Sequence, residues 1–234
     1  MGKSVAIILA RGGSKRVPHK NIRAFCGQPM VTWAVSHAVK SNLFSQVIIS
    51  TDDEEIAQAA ISCGAAYYGP RPPELSNDHA TTADVLRYVL NSLQSEITAL
   101  KTCCCLYGTS AMVTPEMLMD GLALLQNKKS ELVMSLMRYS HPIERALVIN
   151  DDEMVIYRTP EFASTRTQDL RESYHDAGLF YWLRTSSFLT HNHSDFSRLK
   201  KCGLIVSRFD AVDIDTEDEW TYAEKLAQMH NLGR

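Results

Sequence analysis

No stretch of the chain stays apolar for the roughly 18 residues that a helix needs to cross a bilayer, which argues against a membrane-spanning helix. An excess of positive charge is also missing. The formal net charge is -3 over 234 residues, so no broad basic face is left to neutralise a nucleic-acid backbone, and the basic cluster that does occur is local. Cysteine never occurs in C-x-x-C spacing: Cys103, Cys104 and Cys105 are consecutive inside an apolar run, and Cys26, Cys63 and Cys202 are scattered. That pattern predicts buried free thiols rather than disulfides or a zinc site. The N-terminus enters a core strand directly, without a cleavable leader pattern, so the expectation is a cytoplasmic protein.

What the chain does have is 45% apolar and 22% charged residues, an ordinary globular balance, and enough length for one large domain with an insertion. Its most distinctive stretch is Val5–Arg23, V-A-I-I-L-A-R-G-G-S-K-R-V-P-H-K-N-I-R. The unbroken apolar run from Val5 to Ala10 predicts a strand buried on both faces, as in a parallel sheet. It breaks into Gly12 and Gly13, expected to turn the backbone and expose its N–H groups, amid Arg11, Lys15, Arg16 and Lys20. Such a turn suits a polyphosphate. It is not a P-loop, because the Gly-Lys-Ser or Gly-Lys-Thr ending is replaced by Gly-Gly-Ser-Lys. Nor is it a dinucleotide fingerprint, because Pro18 stands where a third glycine would open a helix.

Further along, Pro29 is placed to open a helix with Met30, Trp33, Ala34, His37 and Ala38 on one face. Gln46–Ser50 reads as a second strand, and Thr51–Glu54, T-D-D-E, as a capping box before a helix that ends near Gly64. This order predicts right-handed crossovers in an α/β fold: a Rossmann-like, mostly parallel sheet with helices on both faces. The proline-rich segment Gly69–Thr82 predicts a long ordered loop. Ala83–Glu96 carries Val85, Leu86, Val89, Leu90 and Leu93 at helical spacing; Thr102–Tyr107 is a third buried strand; Thr114 and Pro115 start the next helix. A fourth strand is expected over Glu131–Met137. The more polar region 138–175, with a hairpin of Ala146–Ile149 and Met154–Tyr157, reads as an inserted arm. His191 and His193 read as solvated loop residues.

Near the end, the apolar run Gly203–Phe209 leads into Asp210–Thr216, D-A-V-D-I-D-T. In extended backbone Asp213 and Asp215 point to one side, with Val212 and Ile214 free to anchor opposite. Two like charges so close repel unless a cation or proton intervenes, and magnesium with hard oxygen ligands is the economical answer. Thr216–Glu219, T-E-D-E, forms a second capping box and starts the last helix.

The first loop, R-P-P-E-L at Arg71–Leu75, Asp78 and Thr82, Y-H-D-A-G-L-F-Y-W at Tyr174–Trp182 and D-I-D-T at Asp213–Thr216 together resemble one family. It is that of the cytidylyltransferases that activate nine-carbon acidic sugars, the CMP-sialic acid synthetases, and the branch that activates pseudaminic acid is the most similar. The resemblance implies a nucleotide-diphospho-sugar transferase fold and magnesium-dependent transfer of CMP from CTP to the sugar's anomeric hydroxyl, releasing pyrophosphate. It implies that Ala10, Arg11, Gly12, Gly13, Ser14, Lys15 and Lys20 hold the triphosphate. Asn21, Arg71, Ala80 and Thr82 would read the cytosine, and Asp213 and Asp215 would hold Mg2+, forming the catalytic set with Arg11 and Lys15. Sugar contacts would fall to Tyr107, Thr109, Arg166, Gln168, Tyr174, Asp176 and Phe180. The arm would cross to a second subunit, giving a homodimer.

The departures are local. Relatives in this family carry Q-P-T-S-P or Y-P-T-A-P where this chain has Y-G-T-S-A at Tyr107–Ala111, so Gly108 and Ala111 replace both prolines and are expected to loosen the loop. Leu179 replaces the usual glutamine. N-acetylneuraminic or legionaminic acid as the acceptor, and a nucleotide-binding protein without catalysis, are the alternatives.

Overall fold

The computed structural model describes residues 3–93, 100–191 and 193–232. The first apolar run forms β1 (Lys3–Leu9), in which Ala6 and Ile8 enter one core while Val5, Ile7 and Leu9 enter another. Burial on both faces is why this strand shows no polar alternation. A hairpin of β2 (Ala24–Phe25) and β3 (Gln28–Pro29) follows, turning through Cys26 and Gly27 at φ of 48° and 89°. Next come α1 (Met30–Lys40), β4 (Gln46–Ser50), α2 (Glu54–Ser62) and β5 (Ala66–Tyr67). The proline-rich segment is a long loop with one 3-10 turn at Pro73–Leu75, as expected.

Beyond it lie α3 (Thr82–Leu93), β6 (Leu100–Tyr107), α4 (Pro115–Asn127) and β7 (Leu132–Arg138). The helix end expected at Glu96 lies outside the described residues. The arm contains the antiparallel pair β8 (Leu147–Ile149) and β9 (Val155–Tyr157). It returns through β10 (Tyr174–Arg184), α5 (Thr185–Thr190), β11 (Lys201–Ile205) and α6 (Glu217–Met229). Cys103, Cys104 and Cys105 are free and buried in β6, where desolvation pushes their pKa values up.

The seven-stranded sheet runs β11-β7-β10-β6-β1-β4-β5. β10 is antiparallel to β6 and β7, and the other neighbours pair in parallel. Helices α1, α2 and α4 cover one face, and α3 and α5 cover the other. Strand order reverses between β1 and β6, so the crevice beyond their C-terminal ends is where such sheets take ligands. Because β10 is antiparallel, its first residues arrive at that same edge.

A third cluster joins the two ends of the chain. Val17, Phe25, Met30 and Trp33 pack with Ala111, Ile214, Trp220, Ala223 and Ala227. Phe25 meets Trp220 edge-on at 5.4 Å between centroids. The Arg23 guanidinium lies 4.4 Å from the Trp220 ring centroid and donates to both carboxylate oxygens of Glu217 at 2.8 Å. Burying each large side chain here contributes about 1.5–3 kcal/mol, enough to hold the acidic segment against the first loop.

One cap differs from expectation. Asp53, not Thr51, caps α2, accepting from the N–H groups of Glu55 and Ile56, while Thr51 accepts from Asp53. The second box is as expected, with Thr216 and Glu219 capping α6 reciprocally.

Candidate active site

A cleft of about 360 Å³ opens at the switch point between β1 and β6. Arg11, Ser14, Lys15, Arg16 and Lys20 line it together with Asp213 and Asp215, and Tyr107, Thr109, Asp176 and Tyr181 complete the wall. Asp215 pairs with Arg16 at 2.7 Å and Lys20 at 3.3 Å, and Lys20 also donates to the carbonyl of Ile214. Val212 and Ile214 join the third cluster, so alternation along extended backbone leaves both aspartates to the cleft.

Asp213 makes no ion pair among the described residues. Burial, and then the charge of Asp215, push its pKa above the usual carboxylate range. Among the described residues no group of three or more His, Cys, Asp or Glu side chains is arranged to hold a metal. Two carboxylates beside a phosphate-sized cleft nevertheless fit magnesium, which keeps several waters and is commonly shared between one or two carboxylates and a ligand's phosphates.

A second cavity of about 220 Å³ adjoins the first, sharing Leu9, Arg11 and Tyr107 with it. Arg71, Asn77, Asp78, Ala80 and Thr82 line the remainder. Arg71 is 7% exposed, with Asp52 at 3.5 Å and the Ser76 hydroxyl at 3.2 Å. The Tyr107 hydroxyl is 2.8 Å from Thr82 Oγ1, and burial raises its pKa to about 12, so the phenol is neutral. Asp78 binds both Arg11 and Lys15.

Several candidates from the sequence are placed differently from expectation. Gly12 does not present a free N–H, because Asp52 accepts it at 3.1 Å, and neither Gly12 nor Gly13 adopts the left-handed backbone. Ala10 is buried beneath the cleft. Asn21 lines the larger cleft rather than the smaller, donating to the carbonyl of Arg11 at 2.9 Å. Phe180 is fully buried in the core on the α4 side and offers no surface to a ligand. Tyr181 takes that place. The reason is a bulge: Gly178 sits at φ 66° and the register with β7 shifts between Asp176 and Tyr181, inverting the alternation. Tyr181 then donates to Asp176, which also accepts from the Gly178 N–H at 2.9 Å. A glycine inside an otherwise aromatic strand was the available signal. Tyr174 bonds Glu172 instead of lining either cavity, and Arg166 pairs with Asp169 in the arm, beside Gln168 and away from both cavities. His191 and His193 contribute carbonyls to Arg87.

The loop that follows β6 is tight rather than loose. Ser110 Oγ donates to the carbonyl of Leu179 at 2.7 Å and accepts from the Tyr107 N–H at 3.2 Å, Gly108 donates to Leu9 at 2.9 Å, and Ala111 is buried in the third cluster. A Cβ at Gly108 would come 2.3 Å from Asn21 Oδ1 and 2.9 Å from the Ala10 Cβ. Glycine there is a close-approach requirement. Gly108→Ala is expected to cost about 1–3 kcal/mol, the usual penalty of overpacking, by displacing Asn21. Thermal melting checks this; an unchanged melting temperature would contradict it.

The fold and cleft define a nucleotide-binding α/β protein of the Rossmann-like class. The chain belongs to the cytidylyltransferase family, whose model, described as cytidylyltransferase, matches residues 5–233. A pseudaminic acid cytidylyltransferase of Campylobacter jejuni is 32% identical, over 98% of this chain and 98% of its own length. A CMP-N,N'-diacetyllegionaminic acid synthase of Legionella pneumophila is 28% identical over 97% of each chain. Among solved structures, a CMP:2-keto-3-deoxy-manno-octonic acid synthetase complexed with CTP has the same fold, with a TM-score of 0.71 at 19% identity over 97% of this chain and 99% of the other.

Proposed function

We propose that the protein transfers CMP from CTP to the anomeric hydroxyl of pseudaminic acid, giving CMP-pseudaminic acid and pyrophosphate. The observation that carries the transfer chemistry is the lining of one cleft by Arg11, Lys15 and Lys20 from one end of the chain and by Asp213 and Asp215 from the other. The C. jejuni relative supports the choice of sugar. In this reading the cytosine occupies the smaller cavity beside Arg71, Ala80 and Thr82, and Arg11 bridges it to the triphosphate in the larger cleft. The anomeric oxygen bonds to the α-phosphorus as the bond to the β-phosphate oxygen breaks, and the hydroxyl proton passes to water. Arg11, Ser14 and Lys15 steady the departing pyrophosphate, so the side chains act mainly by alignment and charge stabilisation. Asp213 and Asp215 would hold magnesium, which supplies charge neutralisation at the α-phosphate. Thr109, Asp176 and Tyr181 adjoin the space left for the sugar acid.

The arm supports a homodimer. Ile149 is 73% exposed and Val155, its cross-strand partner, 62%, and Leu147, Val148 and Ile156 are exposed beside them. A hairpin this apolar needs a covering surface. Arg166, remote from the cleft of its own chain, would then be supplied to a second copy's sugar site. Ile149→Lys with Val155→Lys is expected to convert a sedimenting dimer into a monomer; a retained dimer would contradict the arm's role. The acceptor is tested by incubating CTP with pseudaminic, legionaminic or N-acetylneuraminic acid and weighing the CMP-sugar product. Highest turnover with pseudaminic acid is expected, and preference for another acid would overturn that assignment.

A further inference from the structure

We infer that Asp78 is a gate on the nucleotide cleft, coupling occupation of the smaller cavity to capture of phosphates in the larger; this rests on the CTP reading of the site. Its carboxylate accepts from Arg11 Nη1 at 2.7 Å through one oxygen and from Lys15 Nζ at 2.6 Å through the other. One side chain thus occupies both cations in the manner of a phosphate oxyanion. Arg11 and Lys15 line the larger cleft, whereas Asp78 lines the smaller. Asp78 takes one donor from each cation, so a triphosphate that engages Arg11 and Lys15 does so beside a competing carboxylate. If the carboxylate stayed beside the phosphates, like charges would face each other at close range.

Release of Asp78 is a movement of the smaller cavity's wall. Asn77 Oδ1 accepts from the N–H groups of His79 at 2.8 Å and Ala80 at 3.0 Å, so residues 77–80 form one turn with Asp78 inside it. The earlier part of the loop is anchored, with the Arg71 N–H bonded to the Thr51 carbonyl at 2.8 Å. A base entering beside Ala80 and Thr82 touches this turn directly. Hydrogen bonds from Lys15 and then Arg11 hold the Asp78 pKa at about 2, so the gate is fully charged at neutral pH. A ligand with phosphates but no base leaves the 77–80 turn in place and meets the charge of Asp78, whereas a base in the smaller cavity contacts that turn and favours its displaced position, taking the carboxylate away from the phosphates. The carboxylate is therefore an element of repulsion that selects against bare polyphosphate.

The test is calorimetric titration of the full-length chain with inorganic tripolyphosphate and with CTP, both without metal. Asp78→Asn is expected to bind tripolyphosphate about fivefold more tightly than the parent, the size of effect two exposed ion pairs can produce, and to gain less than about twofold for CTP. Asp78→Ser, read in the same way, covers a folding defect in the first variant. Unchanged or weaker tripolyphosphate binding by a folded variant would overturn the gate, as would an equal gain for both ligands. Failure of the parent to bind CTP would instead contradict the CTP reading, because the tripolyphosphate comparison involves no nucleotide.

Discussion

Asp213→Ala is expected to lower magnesium-dependent pyrophosphate release about a thousandfold while leaving the protein at least as stable as the parent. The two halves of that expectation come from one observation. Asp213 loses solvent in the cleft, has Asp215 for a neighbour and makes no ion pair among the described residues. Its pKa is raised on folding, so the stability linked to it is present below its unfolded pKa and is lost as pH rises through the folded one. Wherever that carboxylate is ionised it opposes folding, and truncation removes it. Asp215 differs, because it pairs with Arg16 and Lys20. Asp215→Ala should lose comparable activity but also melt at lower temperature, since Arg16 loses its carboxylate and Lys20 keeps only the Ile214 carbonyl. Pyrophosphate release and melting curves on both variants check the pair. Wild-type turnover in either would contradict the metal assignment, and a matching fall in melting temperature for Asp213→Ala would contradict the account of its unfavourable charge.

Lys15→Ala is expected to weaken CTP binding about 10- to 100-fold, the range of a lost charge-assisted hydrogen bond, while CMP binding changes by less than about threefold. Lys15 lines only the larger cleft and is exposed in the absence of ligand, so its effect should appear only with the β- and γ-phosphates. Arg11 lines both cavities, and Arg11→Ala should weaken both nucleotides. Parallel titrations with CTP and CMP separate the two. Equal losses of CTP and CMP binding in Lys15→Ala would contradict its placement on the pyrophosphate side.

Much of this arrangement was legible in the sequence because local patterns and tertiary packing agree. The run Val5–Ala10 is unbroken because both faces of β1 are buried. Val212 and Ile214 could be expected to anchor the acidic segment because they alternate with Asp213 and Asp215, and they do. The failures arose where a local rule met a competitor. Thr51 and Asp53 are both capping residues, and only the backbone conformation selects Asp53. The resemblance put Phe180 at the ligand, but the Gly178 bulge inverts the alternation in favour of Tyr181. Gly108 suggested flexibility, yet its neighbours Asn21 and Ala10 come from distant sequence, and nothing local reports how closely they approach. The contact of Asp78 with Arg11 and Lys15 is long-range for the same reason.

The central claim is that the cationic turn and the acidic pair act on one nucleotide across one cleft. The most direct measurement is a crystal structure of the protein with CTP and magnesium. The account predicts phosphates between Lys15 and the Asp213–Asp215 pair, a metal on those two carboxylates, and the cytosine in the cavity beside Arg71. Density for CTP elsewhere, or for a metal away from both aspartates, would contradict it.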